Sequence, residues 1–155
     1  MPDGLRRRLE EVLRDPRADV LVADDGGALV GAATYFLVPV AHDSRPWCRI
    51  TTLVVDETHR GHGIGRLLVD AAETAARRAG CSRIEATSAL HRSGAHRFYD
   101  RLGYGRRGAS LMLLTCSSAD ERPASGSLVY RDWRYDHDRR FERHGGLDCV
   151  ENLLM

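Results

Sequence analysis

The chain of 155 residues contains no lysine, no glutamine and a single asparagine, Asn152; all 23 of its basic residues are arginine. Without a lysine amine there is no side chain to form a Schiff base, to anchor pyridoxal phosphate or to complete a nucleoside-triphosphate loop. Cysteine is sparse. Cys48, Cys81, Cys116 and Cys149 stand far apart with no C-x-x-C pair, which reads as free thiols in a reducing compartment and not as a disulfide framework or a zinc site. Long apolar runs are also missing. The longest, residues 28–41, is broken by Gly31, Thr34 and Pro39 and falls short of the roughly 20 residues a membrane helix needs. Arg6, Arg7 and Arg8 have no apolar run behind them, unlike a secretory signal. These absences, with an arginine bias typical of GC-rich coding sequences, lead to the expectation of a bacterial, cytoplasmic protein with no membrane partner.

What is present is an ordinary globular composition, 43% apolar and 29% charged, in a length that suits one domain. The net charge of +1 hides an uneven split. Residues 1–114 hold 17 arginines against 14 acids, and residues 115–155 hold 6 against 8. A basic body suits an anionic ligand, whereas an acidic tail argues against a nucleic-acid arm, so no nucleic-acid partner is expected.

Periodicity predicts a helix over residues 5–14, with Asp3 as its N-cap and Pro16 as its stop. Two strands follow, residues 20–23 and 28–38, around an Asp24-Asp25-Gly26-Gly27 hairpin turn. A polar loop (41–46) leads to a third strand (48–55), and a strong amphipathic helix (65–79) ends at Gly80. A short strand (83–88), a helix closed by Gly103 and a strand near 110–114 complete a mixed α/β layout. The expected domain covers residues 1–114. Residues 115–155 form a separate tail: a Ser/Ala/Pro/Gly linker, then a segment dense in Arg, Asp and aromatics. Two readings stay open for it, partial disorder or an added strand over 128–134.

The chemistry concentrates in the turn before the long helix, Arg60-Gly61-His62-Gly63-Ile64-Gly65-Arg66. Glycines let a backbone turn tightly with successive N–H groups pointing inward, and the helix that follows adds the positive end of its dipole, so the turn suits a pyrophosphate. R-x-x-G-x-G alone is a weak signal, with about 0.2 chance matches in a chain this rich in Arg and Gly. A dinucleotide fingerprint starting at Gly61 or Gly63 needs glycine where Arg66 and Leu68 stand, and a triphosphate loop needs lysine. Downstream, Phe98-Tyr99-Asp100-Arg101-Leu102-Gly103-Tyr104 completes a second pattern, F-Y-x-x-x-G-[FY].

Taken together, the 53–57 strand end, the Arg60–Gly65 loop and the helix around Phe98 and Tyr99 resemble the GNAT superfamily of N-acetyltransferases, over residues 5–114. The resemblance implies a mixed, mostly antiparallel central sheet flanked by helices. It also implies direct acetyl transfer from acetyl-CoA to the primary amine of a small molecule, with no covalent enzyme intermediate. On that basis the exposed backbone of Leu53, Val54 and Val55 binds pantetheine, and one main-chain N–H there polarises the thioester carbonyl. Arg60, Gly61, His62, Gly63, Ile64, Gly65 and Arg66 hold the pyrophosphate through their backbone. Tyr99 protonates the leaving thiolate as general acid.

The general base is less defined. Many relatives carry a glutamate where this chain has Thr51; Glu85 on the next strand is the substitute, with a water chain as the other route. His91 and His96 read as helix-surface or loop residues, and His59 and His62 as part of the glycine turn, with no metal expected. Trp47 is open to two readings, a wall of the substrate cleft or packing under a loop. Family members also begin with a strand and a helix ahead of the first helix here, so the expected fold lacks that pair. A homodimer is a further expectation from the resemblance. Two alternatives remain at this point: an acyl-CoA-binding module without turnover, and a protein-interaction role for the Arg/aromatic tail.

Overall fold

A computed structural model describes residues 2–89, 91–107 and 111–115. Helix α1 (Pro2–Arg14) is followed by strands β1 (Ala18–Asp25), β2 (Ala28–Val40) and β3 (Asp43–Val55). A 3₁₀ turn (Glu57–His59), helix α2 (Ile64–Arg78), strand β4 (Arg83–Thr87), helix α3 (Ser93–Arg101) and strands β5 (Gly105–Arg107) and β6 (Leu111–Thr115) complete the order. The six strands form one sheet in the order β1-β2-β3-β4-β6-β5. Every neighbouring pair is antiparallel except β3 with β4, which run parallel because α2 crosses over between them. The mixed, mostly antiparallel sheet flanked by helices is thus observed, and α1 is the first described element.

Three boundaries differ from expectation. Helix α1 starts at Pro2, so Asp3 lies inside the first turn and not ahead of it; proline is favoured at a helix start because its missing N–H has no partner there. The polar loop expected over 41–46 shrinks to two residues, since the β2–β3 ladder runs on to Val40 opposite Asp43. Ser44 and Arg45 face solvent there, so this stretch of strand carries no apolar alternation to reveal it. The final strand is a β5–β6 hairpin, with β6 inserted between β4 and β5. Beyond Thr115, the linker, the Arg/aromatic segment, Cys116 and Cys149 lie outside the described residues.

Helices cover the two faces of the sheet unequally. Leu9 of α1 packs with Val20, Val22 and Ala32 on one face, and a fully buried leucine contributes about 2 kcal/mol. On the other face α2 brings Ile64, Leu68, Val69, Ala72 and Ala76 against Ala33, Tyr35, Cys48, Ile50, Ile84 and Ala86. The close approach depends on Gly31: a Cβ there would stand 3.0 Å from Ile64 Cγ2 and 3.1 Å from Leu68 Cδ1. Gly26 and Gly27 both take positive φ, 63° and 98°, which closes the β1–β2 hairpin as its sequence requires.

Candidate active site

Two irregularities in β3 shape the site. The β2–β3 register passes from Thr34 opposite Thr52 to Tyr35 opposite Ile50, so Thr51 is an extra residue in a β-bulge. Its hydroxyl lies 2.7 Å from that of Thr34. The second irregularity is where β4 leaves. The parallel ladder runs only from Trp47 opposite Arg83 to Ile50 opposite Ala86, while β3 continues to Val55 along β2 alone. Past Ile50 the ladder ends, since β4 runs only one residue further, to Thr87, and the backbone of Leu53, Val54 and Val55 continues with no β4 partner, leaving a gap in the sheet beside it.

The glycine turn stands at the open end of this gap. Asp56 leads into it: its carboxylate accepts from Thr58 N (3.0 Å) and bonds His59 Nδ1 (2.8 Å). Hydrogen bonds from Thr58 and then His59 hold this carboxyl down at about 2, so it stays ionised as a cap on the 3₁₀ turn. Arg60 donates through Nε to the Val55 carbonyl (3.2 Å) and ties the turn to the end of β3. Gly61 and Gly63 take φ of 81° and 83°, with open space where a Cβ would stand. Gly63 is the N-cap of α2, and the first intrahelical bond runs from Leu67 N to Gly63 O at 3.1 Å. Ile64, Gly65 and Arg66 therefore sit in the first turn, where backbone N–H groups have no carbonyl behind them. This local geometry fits a pyrophosphate: backbone donors, a helix N-terminus and room for the anion.

Helix α3 supplies the second motif. It ends in a Schellman arrangement, with Tyr104 N bonded to Tyr99 O (3.0 Å) and Gly103 N to Asp100 O (3.0 Å), and Gly103 at φ 85°. That cap turns Tyr104 back to α2, where its hydroxyl donates to Glu73 Oε1 at 3.2 Å. Tyr99 is buried between the rings of Phe98 and Tyr104, at centroid distances of 5.0 and 5.1 Å. Burial pushes its hydroxyl up to about 12, and the Arg92 charge opposes this only in part. The phenol makes no hydrogen bond to another described residue, and the burial that raises it keeps it protonated at neutral pH.

Glu85 lies on β4 directly across from Arg49 on β3, and its carboxylate Oε1 is ion-paired with that guanidinium. Its other oxygen, Oε2, is buried without a hydrogen-bond partner. Arg49 gave no signal in the sequence, because its partner is 36 residues away and only the parallel register brings the two together. His96, expected at the surface, is buried on α3, with Nε2 3.0 Å from the Ala89 carbonyl. His91 is exposed. Trp47 packs under the Arg83 guanidinium, 3.9 Å from the ring centroid, at the end of β3 away from the glycine turn. His62 Nδ1 lies 3.3 Å from the His59 carbonyl, and no group of three metal-ligating side chains occurs among the described residues. No helix among the described residues is long and apolar enough to cross a membrane.

Known proteins share this architecture. A probable N-acetyltransferase 14 of Danio rerio is 33% identical over 118 residues, covering 72% of this chain and 39% of that protein. An aminoalkylphosphonate N-acetyltransferase of Salmonella typhimurium is 36% identical over 92 residues, covering 59% of this chain and 60% of that one. The chain thus spans about two fifths and three fifths of these relatives. A solved structure of a transcriptional regulator from Bacillus halodurans C-125 superposes with a TM-score of 0.65 at 29% identity, over 70% of this chain and 74% of that chain. Nourseothricin acetyltransferase, at 24% identity and a TM-score of 0.59 over 66% and 68%, shares the fold. Residues 2–104 match the acetyltransferase (GNAT) family, and the chain belongs to that family.

Proposed function

We propose that this protein transfers an acetyl group from acetyl-CoA to the primary amine of a small molecule, by direct attack, in a bacterial cytoplasm. The observation that carries this is the end of the β3–β4 ladder at Ile50 and Ala86, which leaves Leu53, Val54 and Val55 without a β4 partner on the stretch of β3 that leads to the glycine turn before α2. A gap of that kind accepts an extended chain against the free edge of Leu53, Val54 and Val55, while the turn from Arg60 through Gly61, His62, Gly63, Ile64 and Gly65 to Arg66 takes its anionic end. Bound acetyl-CoA supplies the acyl group as an activated thioester.

The chain's own residues account for the rest. A main-chain N–H on the free edge polarises the acyl carbonyl, and the Thr51 bulge bends the strand that presents it. As the amine nitrogen forms its bond to the acyl carbon, the carbon–sulfur bond breaks and Tyr99 gives its proton to the departing sulfur. Glu85 takes the proton shed by the amine through Oε2, the oxygen that Arg49 leaves free. The curated relative named for an aminoalkylphosphonate supports a small amine as acceptor. Dimerisation is compatible with this scheme and no step depends on it.

Calorimetry with acetyl-CoA and a thiol-release assay over a panel of primary amines test the reading together. Binding with turnover on at least one amine is expected. Binding without turnover on any amine would instead favour an acyl-CoA-binding module, and no binding would sink both.

A further inference from the structure

Arg49 and Glu85 are the next-to-last pair of the β3–β4 ladder, immediately before the ladder ends. Their neighbours Cys48, Ile50, Ile84 and Ala86 point into the core under α2, so Arg49 and Glu85 emerge on the opposite face. Helix α1 lies on that face but packs on β1, two strands away. The pair is lopsided. Both Nε and Nη2 of Arg49 converge on one carboxylate oxygen, Oε1. Oε2 has no donor although the glutamate side chain is only 1% exposed, whereas the arginine side chain is 44% exposed. A buried carboxylate oxygen without a donor is unfavourable, and a guanidinium carries five N–H donors, more than one oxygen can use.

We propose that Arg49 and Glu85 form a two-point receptor for a zwitterionic acceptor, a primary amine with an acidic group a few atoms away. The ammonium donates to Glu85 Oε2, and the acid accepts from the outward N–H groups of Arg49. Such a ligand completes both halves of an ion pair that is only half satisfied internally. It also sets the amine beside the end of the β3–β4 ladder, on the face of the sheet opposite α2. A planar guanidinium fork suits a carboxylate or a phosphonate equally in kind, so acids of both types belong to the class. An amine with an uncharged tail leaves those donors without their partner and is discriminated against. The proposal rests on Glu85 being the acid that receives the amine, and it adds the chemical class of that amine.

The test compares β-alanine, 2-aminoethylphosphonate and propylamine, which share a short aliphatic amine but differ in the tail. In the thiol-release assay the native enzyme is expected to show kcat/KM at least 10-fold higher for the two acids than for propylamine. Arg49→Gln should bring that ratio down to about one by raising KM for the acids. Equal use of all three amines by the native enzyme, or a preference that survives Arg49→Gln, overturns the proposal. Should Arg49→Gln fail to fold, the double variant Arg49→Gln/Glu85→Gln leaves no buried lone charge and, because it also removes the base, is compared by calorimetry: loss of 2-aminoethylphosphonate binding to CoA-loaded protein supports the proposal, and retained binding overturns it. If no amine is turned over, the transferase reading fails by itself, and the receptor is then judged by calorimetry of 2-aminoethylphosphonate on CoA-loaded protein. Binding that is lost in the double variant supports it, and no binding by native protein overturns it.

Discussion

Gly65 lies against the ring of Phe98: a Cβ at this glycine would stand 3.3 Å from both Cε2 and Cζ. The last glycine of the R-x-x-G-x-G turn and the first aromatic of F-Y-x-x-x-G-[FY] are therefore in contact, which joins the two motifs into one site. Replacing a helical glycine by alanine ordinarily stabilises by up to about 1 kcal/mol, the full value applying in a helix interior. Here that gain should be absent in Gly65→Ala, because the new methyl pushes Phe98 and with it the α3 turn that bears Tyr99. Urea unfolding checks this, and a stabilisation of about 1 kcal/mol would show that Phe98 yields freely.

Gly63 tests the turn from the other side. Its φ of 83° is left-handed and its surroundings are open, so a side chain meets backbone strain and no steric clash. Gly63→Ala should cost about 1–2 kcal/mol in stability. If the turn binds pyrophosphate through its N–H groups, the acetyl-CoA Kd should also rise at least 10-fold, since those groups are re-aimed. Calorimetry giving an unchanged Kd would assign the turn a structural role only.

Tyr99 should separate binding from chemistry. Tyr99→Phe keeps the ring packing with Phe98 and Tyr104 and removes only the proton. We expect kcat to fall by roughly 10²-fold with acetyl-CoA affinity nearly intact. An unchanged kcat, where single-turnover data show the chemical step to be limiting, removes Tyr99 from the acid role.

The same burial makes stability depend on alkaline pH. The Tyr99 hydroxyl is raised from 10.0 to about 12, so in the folded state the neutral form persists after an unfolded tyrosine has ionised. Above pH 10 the unfolded chain binds fewer protons than the native one, and stability falls with rising pH. The contribution is fully present below pH 10 and is lost as pH rises through about 12, a total of roughly 2–3 kcal/mol. Tyr104 is pushed up as well, by burial first and then by the Glu73 charge, and acts in the same direction. Denaturant titrations from pH 9 to pH 12 should show this decline, and Tyr99→Phe should flatten part of it. A flat profile in the native protein would mean the phenol is hydrated in solution.

Much of the site was legible because its parts are local. Gly61, Gly63, Gly80 and Gly103 mark positive-φ turns that few other residues tolerate, so turn and cap positions follow from composition alone. Tyr99 was legible through its place in a motif seven residues long. Arg49, the Thr51 bulge and the buried state of His96 were not. Each depends on a partner outside its own segment: Glu85 across a parallel rung, Thr34 across an antiparallel one and the Ala89 carbonyl. The start of β3 is not legible for a related reason. Asp43, Ser44 and Arg45 lack strand character, and only pairing with β2 makes them extended.

By itself, the sequence determined that the chain has no lysine to use, that a glycine turn opens a long helix, and that this turn can offer backbone N–H groups to a ligand. These follow from residue type and short spacing, which act on the chain locally. Tertiary structure alone decided where the β3–β4 ladder ends, that Glu85 spends one oxygen on Arg49 and keeps the other, and that Gly65 touches Phe98. Those relations depend on strand register and helix packing. Register is a sum over many distant contacts, and no single segment carries it.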